Sequence, residues 1–290
     1  ACGEGIPVCM VPAMHAPMYD HPVVVSNIQK LTDMGFRFVE PDVSEGKAKL
    51  PSVETIVWSA VKLLASDGPL AGKTVAVSAG RTVEYIDPIR VITNNSSGKM
   101  GIELTKALLL SGADIHLIYG KGSATPVSSV PTIRVDTAEE MANEVEALLS
   151  SKRVDCFIAA AAVGDWKAAQ TAKEKISTHT EDSITLELSP TVKIIDRIKE
   201  RFPETFLVAF RALYRKSPDD LSKDAASRMT KAKADVIAVN DVGSDGVGFE
   251  SDNNEMRVFS KNGREYHIPF SDKFRVAERL VEIIAQLLTE

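Results

Sequence analysis

The chain has 290 residues, 44% hydrophobic and 26% charged, which supports about two packed domains and argues against disorder. Its 34 Lys and Arg stand against 40 Asp and Glu, a formal charge of −6 that argues against bulk nucleic-acid binding. The longest apolar stretch, Phe157 to Val163, falls far short of the ~18 residues a membrane span needs, and no secretory signal opens the chain.

The first seventy residues read as an incomplete α/β unit. Ile6 to Met10 suits a short buried strand, Val11 to Met18 a loop, Pro22 to Leu31 a helix and Gly35 to Val39 a strand. Val53 to Ala65 places Val53, Ile56, Val57, Ala60 and Leu64 at helical spacing. Ser66-Asp-Gly-Pro69 is a cluster of turn residues and the best linker in the chain. It divides the chain into 1–66, a linker at 67–72, and 73–290. Ala1 falls inside an already running pattern, which reads as a start partway through the first unit.

Beyond the linker the alternation is regular. Thr74 to Ala79 reads as a strand and Lys99 to Leu110 as a helix stopped by Gly112. A strand at Asp114 to Tyr119 and a helix at Ala138 to Ser150 follow. Asp155 to Val163 is a continuous apolar run, as expected of a central parallel strand. Ser183 to Leu188, Phe206 to Ala212 and Asp235 to Asn240 are further strands. Lys261-Asn-Gly-Arg264 is a hairpin turn, and a final helix starts near Ser271. The alternation implies a Rossmann-like, mainly parallel doubly wound α/β sheet with helices on both faces.

Such sheets bind ligands at the carboxyl ends of their strands, which directs attention to the loops after Ala79, Val163, Ala212 and Asn240. Gly80 stands alone there, without the G-x-G-x-x-G of a dinucleotide site, and also suits a plain turn. Thr93-Asn-Asn-Ser-Ser-Gly-Lys-Met-Gly101 runs into a helix. Ser96 or Ser97 would cap it, its first N–H groups favour an anion, and Lys99 adds a full charge. Ala159 to Val163 lets a ligand approach the backbone closely, and Asp165 suits a ribose, a base edge or a hydrated metal ion. Lys173-Glu-Lys175 sits in a polar stretch that also reads as a solvated surface. Arg228, Lys231 and Lys233 form a basic helix face suited to a triphosphate or to solvent. The histidines, His179 among them, and the three cysteines Cys2, Cys9 and Cys156 show no metal spacing, disulfide framework or nucleophile–base pattern. The cysteine usage fits a reduced, cytoplasmic chain.

Together, Ser78 to Gly101, Ala160-Ala-Ala-Val-Gly-Asp-Trp166, Lys175, Val239-Asn-Asp-Val242 and Gly248 to Glu255 closely resemble the phosphopantothenoylcysteine synthetase (phosphopantothenate–cysteine ligase) family. The resemblance covers about residues 73–290. The part before the linker is similar to the C-terminal remnant of the flavin-dependent phosphopantothenoylcysteine decarboxylase domain, with Pro12-Ala-Met-His15 where that family has Pro-Ala-Met-Asn. It implies a bifunctional coenzyme A biosynthesis flavoprotein beginning inside its flavoprotein half.

The resemblance implies that 4'-phosphopantothenate attacks the α-phosphate of CTP (or ATP) with Mg²⁺ present, and that cysteine then displaces the nucleoside monophosphate. By position, Lys175 matches the mobile lysine of the first step and Asn94 the asparagine that holds the acyl group, with Arg90 on the same loop. Gly80, Ala159, Ala160, Ala161, Asp165, Pro190, Thr191, Val192, Phe210, Arg228 and Lys231 match the nucleotide site. Ser96, Ser97, Gly98 and Lys99 match the substrate site. Met14 and His15 belong to the flavin half, where FMN binding and decarboxylation require a complete flavoprotein domain. The family also suggests a homodimer or larger assembly.

Departures are Ala209-Phe-Arg-Ala-Leu213 in place of Gly-Phe-x-x-Glu, Gly164 in place of Ala, and a flap at Asp42 to Leu50 without a cysteine. The first two bear on the choice of CTP or ATP. A decarboxylase, and a nucleotide-binding module without turnover, are the alternatives to a ligase.

Overall fold

The apolar runs expected as central strands pair into one eight-stranded sheet. Its strands are β1 (Thr74–Ala79), β2 (Asp114–Tyr119), β3 (Thr132–Arg134), β4 (Cys156–Ala159), β5 (Phe206–Leu213), β6 (Val236–Asp241), β7 (Asn253–Ser260) and β8 (Glu265–Asp272). The computed structural model describes residues 6–44, 46–177, 183–243 and 246–290; Cys2 and His179 lie outside them. The order across the sheet is β3-β2-β1-β4-β5-β6-β7-β8, parallel as far as β6 and antiparallel for β7 and β8. The winding reverses between β1 and β4, where a doubly wound sheet opens its crevice.

Five helices cover the two faces: α1 (Lys99–Leu110), α2 (Ala138–Ser151), α3 (Ile194–Arg201), α4 (Pro218–Ala232) and α5 (Lys273–Thr289). Strand side chains alternate between them. Val75, Val77 and Ala79 of β1 pack with Leu104 and Leu108 of α1 and Val276 and Leu280 of α5. Ala76 points the other way, into a layer with Met141 of α2, Ile198 of α3 and Leu221 of α4. Burial on both faces is why these strands read as unbroken apolar runs. No helix among the described residues is long and apolar enough to cross a membrane.

Some elements differ from the sequence expectation. The run Asp155–Val163 is strand only over Cys156–Ala159; the small residues after it keep single bonds to β1 and its continuation, from Ala160 to Ser78 and from Ala162 to Gly80, and form a wall of a cleft. Of Ser183–Leu188 only the end is strand, as Leu188–Pro190 pairs with Trp166–Ala168. Ile184 and Leu186 remain exposed because no strand flanks them.

The expected strand Ile6–Met10 reduces to Cys9–Met10, paired with Arg37–Phe38 and half-buried. The expected loop Val11–Met18 contains strand residues Met14–His15 and a short helix, Ala16–Tyr19. Helices span Pro22–Asp33 and Val53–Leu64. Only Val39, Ala48 and Pro51 are fully buried among the described residues before 66, so this segment has little core of its own. The turn cluster at 66–69 leads directly into Leu70, which is buried and donates its N–H to the Ser111 carbonyl at 2.8 Å.

Where α1 crosses β1 there is no spare room. A Cβ on Gly101 would come within 2.3 Å of Ala79 Cβ and 3.2 Å of its Cα. Gly101→Ala is therefore expected to cost about 1–3 kcal/mol through overpacking, read as a lower denaturant midpoint at unchanged slope.

At the opposite end of the sheet, Asp235 is buried and accepts from the Leu207 N–H at 2.8 Å, with Lys199 at 2.7 Å and Lys261 also paired to it. Burial alone would raise its pKa, but the two ammonium groups and the Leu207 N–H outweigh burial and lower it. A lowered carboxyl contributes stability that is complete above the unfolded value near 4 and is lost as pH falls through the folded value. Asp235→Asn is expected to cost about 2–3 kcal/mol at pH 7. That gap should shrink below about pH 4 in parallel denaturation curves.

Candidate active site at the strand ends

The site forms where β1 and β4 diverge. A ribbon of Val83–Tyr85 and Val91–Thr93 follows β1 and delivers Asn94 to Gly98 onto the start of α1. Gly98 occupies the cap position at φ +80°, where a Cβ would approach the Tyr119 hydroxyl to 2.6 Å, so glycine is required. This corrects the expectation that Ser96 or Ser97 is the cap residue. Their hydroxyls lie only 3.4 Å from the N–H groups of Gly98 and Lys99, and Ser97 Oγ instead donates to the Phe249 carbonyl.

A cavity of about 340 Å³ opens above this turn. Asn94 to Gly101 form one wall, Ala160 to Val163 a second, and Phe210 to Ala212 with Asn240 a third. Gly248, Phe249, Asn254 and Lys273 close the remaining side. A second cavity of about 140 Å³, lined by Ala159, Val192, Ile194, Ile195 and Arg228, adjoins it. The two share Ala161, Val163, Asp165, Phe210 and Arg211, so they form one cleft with a wide end and a narrow end. Asn94 lines the larger cavity, and its amide donates to the carbonyls of Ala162 at 3.2 Å and of Val163, a residue both cavities share, at 3.0 Å.

Cations line this cleft in an acidic chain, and each has a partner. Lys99 Nζ reaches Asp252 at 2.7 Å and the Glu250 carbonyl at 2.8 Å. Lys193 pairs with Asp165, Arg228 with Asp196 at 2.8 Å, and Arg211 with Asp224 through two nitrogens at 2.9 and 3.2 Å. Lys273 is buried and donates to the carbonyls of Gly248, Phe249 and Ser251. Burial first, and the nearby Lys99 charge second, lower its pKa. Among the described residues no cluster of His, Cys, Asp and Glu is arranged to hold a metal ion.

The structure gathers Asn94, Ser96, Ser97, Gly98, Lys99, Ala159, Ala160, Ala161, Asp165, Val192, Phe210 and Arg228 around the cleft. Gly80, Pro190, Lys231, Arg90 and Lys175 line neither part. Lys231 lies 3.7 Å from Asp196 and is largely exposed, so the basic face of α4 contributes only Arg228. Thr191 faces a separate recess with Glu84 and Lys167. Met14 and His15 are on a small antiparallel sheet with Lys47–Lys49 and Asp42–Ser44, outside the cleft.

Arg90 instead joins Asp87. That carboxylate has no exposed surface, and burial opposes its charge. Three backbone N–H groups, from Arg90, Ile89 and Ile176, and the Arg90 guanidinium outweigh burial and hold its pKa at about 2.

Sequence reasoning missed Arg211, Lys193 and Lys273. The first lay inside a segment noted for a departure, and the other two carry no motif. Their signal is positional: Arg211 lies near the end of β5, Lys193 shortly after Leu188–Pro190, and Lys273 directly after β8.

The model of the DNA/pantothenate metabolism flavoprotein C-terminal domain matches residues 70–288, and the flavoprotein model matches residues 1–65. The coenzyme A biosynthesis bifunctional protein CoaBC of Thermococcus kodakarensis is 41% identical over 284 residues, covering 97% of this chain and 68% of its own length. The protein of the same name from Bacillus subtilis is 35% identical over 290 residues, covering 97% and 70%. A crystal structure of the C-terminal domain of a CoaBC protein superposes with a TM-score of 0.64 at 27% identity, covering 77% of this chain and 98% of that one. Both parts of those relatives are represented in order, so a matched flavoprotein segment replaces the bare remnant expected before the linker. The chain belongs to the DNA/pantothenate metabolism flavoprotein family.

Proposed function

We propose that residues 73–290 carry a phosphopantothenate–cysteine ligase of coenzyme A biosynthesis, acting on 4'-phosphopantothenate, cysteine and CTP or ATP. The observation that carries this reading is the joined cleft, with Asn94 bonded to Val163, a residue that both parts share. A two-step acyl transfer needs a nucleotide pocket and an acceptor pocket that meet at the reacting carbon.

In the first step a carboxylate oxygen of phosphopantothenate attacks the α-phosphorus. The new O–P bond replaces the bond to the β-phosphate, and pyrophosphate leaves. The narrow end, with Val192, Ile195 and Phe210, takes the base, and Asp165 is placed to meet the ribose. Lys193, Arg211 and Arg228 face the phosphates, and the N–H groups at the start of α1, with Lys99, face an anionic substrate group. Lys175 approaches from the neighbouring polar segment to offset charge on the α-phosphate. In the second step the cysteine nitrogen attacks the acyl carbon, a C–N bond forms, and the nucleoside monophosphate leaves as the amine loses a proton. Asn94 holds the acyl oxygen during that exchange.

Asp165 is the carboxylate on the cleft wall, and Lys193 already pairs with it. These donors suit a Mg²⁺ ion carried on the triphosphate better than one caged by protein, and such an ion supplies charge neutralisation when bound. In the flavoprotein segment Met14 is half-buried and His15 exposed, too open to enclose a flavin ring alone, so no step is derived through FMN.

Pyrophosphate release from CTP or ATP that depends on 4'-phosphopantothenate, with amide product on adding cysteine, is the expected result; nucleotide binding without release would favour the binding-module reading. Lys175→Gln is expected to slow pyrophosphate release by about 100-fold or more. Asn94→Ala should instead slow amide formation more than pyrophosphate release, so that acyl-nucleotidylate accumulates in quenched reactions.

A further inference from the structure

Lys175 is exposed, yet the residue after it is gripped on both sides of its backbone. The Ile176 N–H donates to Asp87 Oδ2 at 3.2 Å, and the Ile176 carbonyl accepts from Arg90 Nη1 at 3.0 Å. The same Arg90 nitrogen donates to Asp87 Oδ2 at 2.8 Å. Asp87 Oδ1 accepts from the N–H groups of Ile89 and Arg90 at 2.8 and 2.7 Å. One carboxylate oxygen thus shapes its own turn while the other fastens a segment 89 residues away in sequence.

Two more bonds run alongside. The Ala172 N–H donates to the Ile86 carbonyl at 2.9 Å, and the Thr171 hydroxyl to the Tyr85 carbonyl at 3.2 Å. Residues 171–176 are therefore stitched along 85–90, the turn that continues through Val91–Thr93 into Asn94. None of residues 171–177 is fully buried, so apolar packing contributes little and polar anchors hold the segment in place. Removing an ionised carboxylate from water is costly, and the bonds it accepts must offset that cost. An exposed loop with no task would gain nothing from such an arrangement.

We propose that Asp87 is a positioning residue for the first half-reaction: through Arg90 and Ile176 it anchors the segment from which Lys175 reaches the nucleotide, and so sets that reach relative to Asn94. This rests on the ligase reading above. A lysine released from the anchor keeps its charge but loses its placement, and misplacement by about 1 Å costs up to about 100-fold in rate.

Two variants test the anchor. Asp87→Asn keeps the shape but loses the charge that grips Arg90. Ile176→Pro removes the N–H that reaches Asp87 and leaves both charges in place, though it also fixes φ at 176 and restricts Lys175, in a segment the core does not depend on. Both are expected to release pyrophosphate about tenfold to 100-fold more slowly, with nucleotide KM changed by less than about threefold. The amides that each variant retains at 172–177 (all but residue 176 in Ile176→Pro) should exchange with deuterium about tenfold faster in both. Ile176→Pro should still convert synthetic acyl-nucleotidylate and cysteine to amide within about threefold of the wild-type rate.

A Tm close to wild type identifies a folded variant, and Ile176→Pro carries the test if Asp87→Asn does not fold. Unchanged exchange at 172–177 in a folded variant overturns the proposal, as does faster exchange with undiminished pyrophosphate release. No release by the wild-type chain would overturn the ligase reading itself, and with it the role of the anchor.

Discussion

Because β1 is hydrogen-bonded along both edges, to β2 and to β4, the chain winds outward from it in opposite directions. Loops leaving the two strand ends cannot cover the gap between them, and the cleft exists for that reason. Backbone bonds tie the strand ends together beneath it: Ala160 to Ser78 at 3.0 Å, Ala162 to Gly80 at 2.8 Å, and Gly120 to Ala79 at 2.9 Å. Small side chains at 159–162 keep the cleft accessible. The turn at Gly98, the ribbon at 83–93 and the Gly248–Asp252 loop are all arranged around this one divergence.

The charges of the cleft are matched within the protein. Lys99 has Asp252, Lys193 has Asp165, Arg211 has Asp224 and Arg228 has Asp196. A phosphate entering the cleft therefore competes with carboxylates for cations that are already held in place. Such an exchange favours a ligand with several negative oxygens over one with a single charge, because each cation must be won from a carboxylate already paired with it. The formal charge of −6 and the phosphate-binding role proposed for the cleft are compatible on these terms.

The doubly wound sheet was legible from the sequence because the features that specify it are local. Buried apolar runs, a 3.6-residue period in α1 and α5, Gly112 after α1 and the Asn262-Gly263 turn each act within a few residues. The start of α1 was legible for the same reason, since Asn94 to Lys99 form one uninterrupted polar stretch. The outcome of competition between partners was not. The end of β4 at Ala159 depends on bonds to β1 and β5 that no local signal encodes, and among the described residues no strand pairs with the exposed stretch before Leu188. Lys273 was missed because an isolated lysine at a helix start reads as solvated; only the fold places three carbonyls around it. Asp87 escaped notice because its partner Ile176 lies far along the chain.

The contact between Gly101 and Ala79 has a consequence for how this cleft can change. With no space between α1 and β1, the wall built from Asn94 to Gly101 cannot tilt or slide without breaking the sheet beneath it. The facing wall is differently built: Val192 lies on a connection, Ile195 is in the first turn of the helix Ile194–Arg201 and Phe210 lies within β5. One side of the cleft thus acts as a fixed jaw, and on the proposed reading a change of base would have to be met from the other.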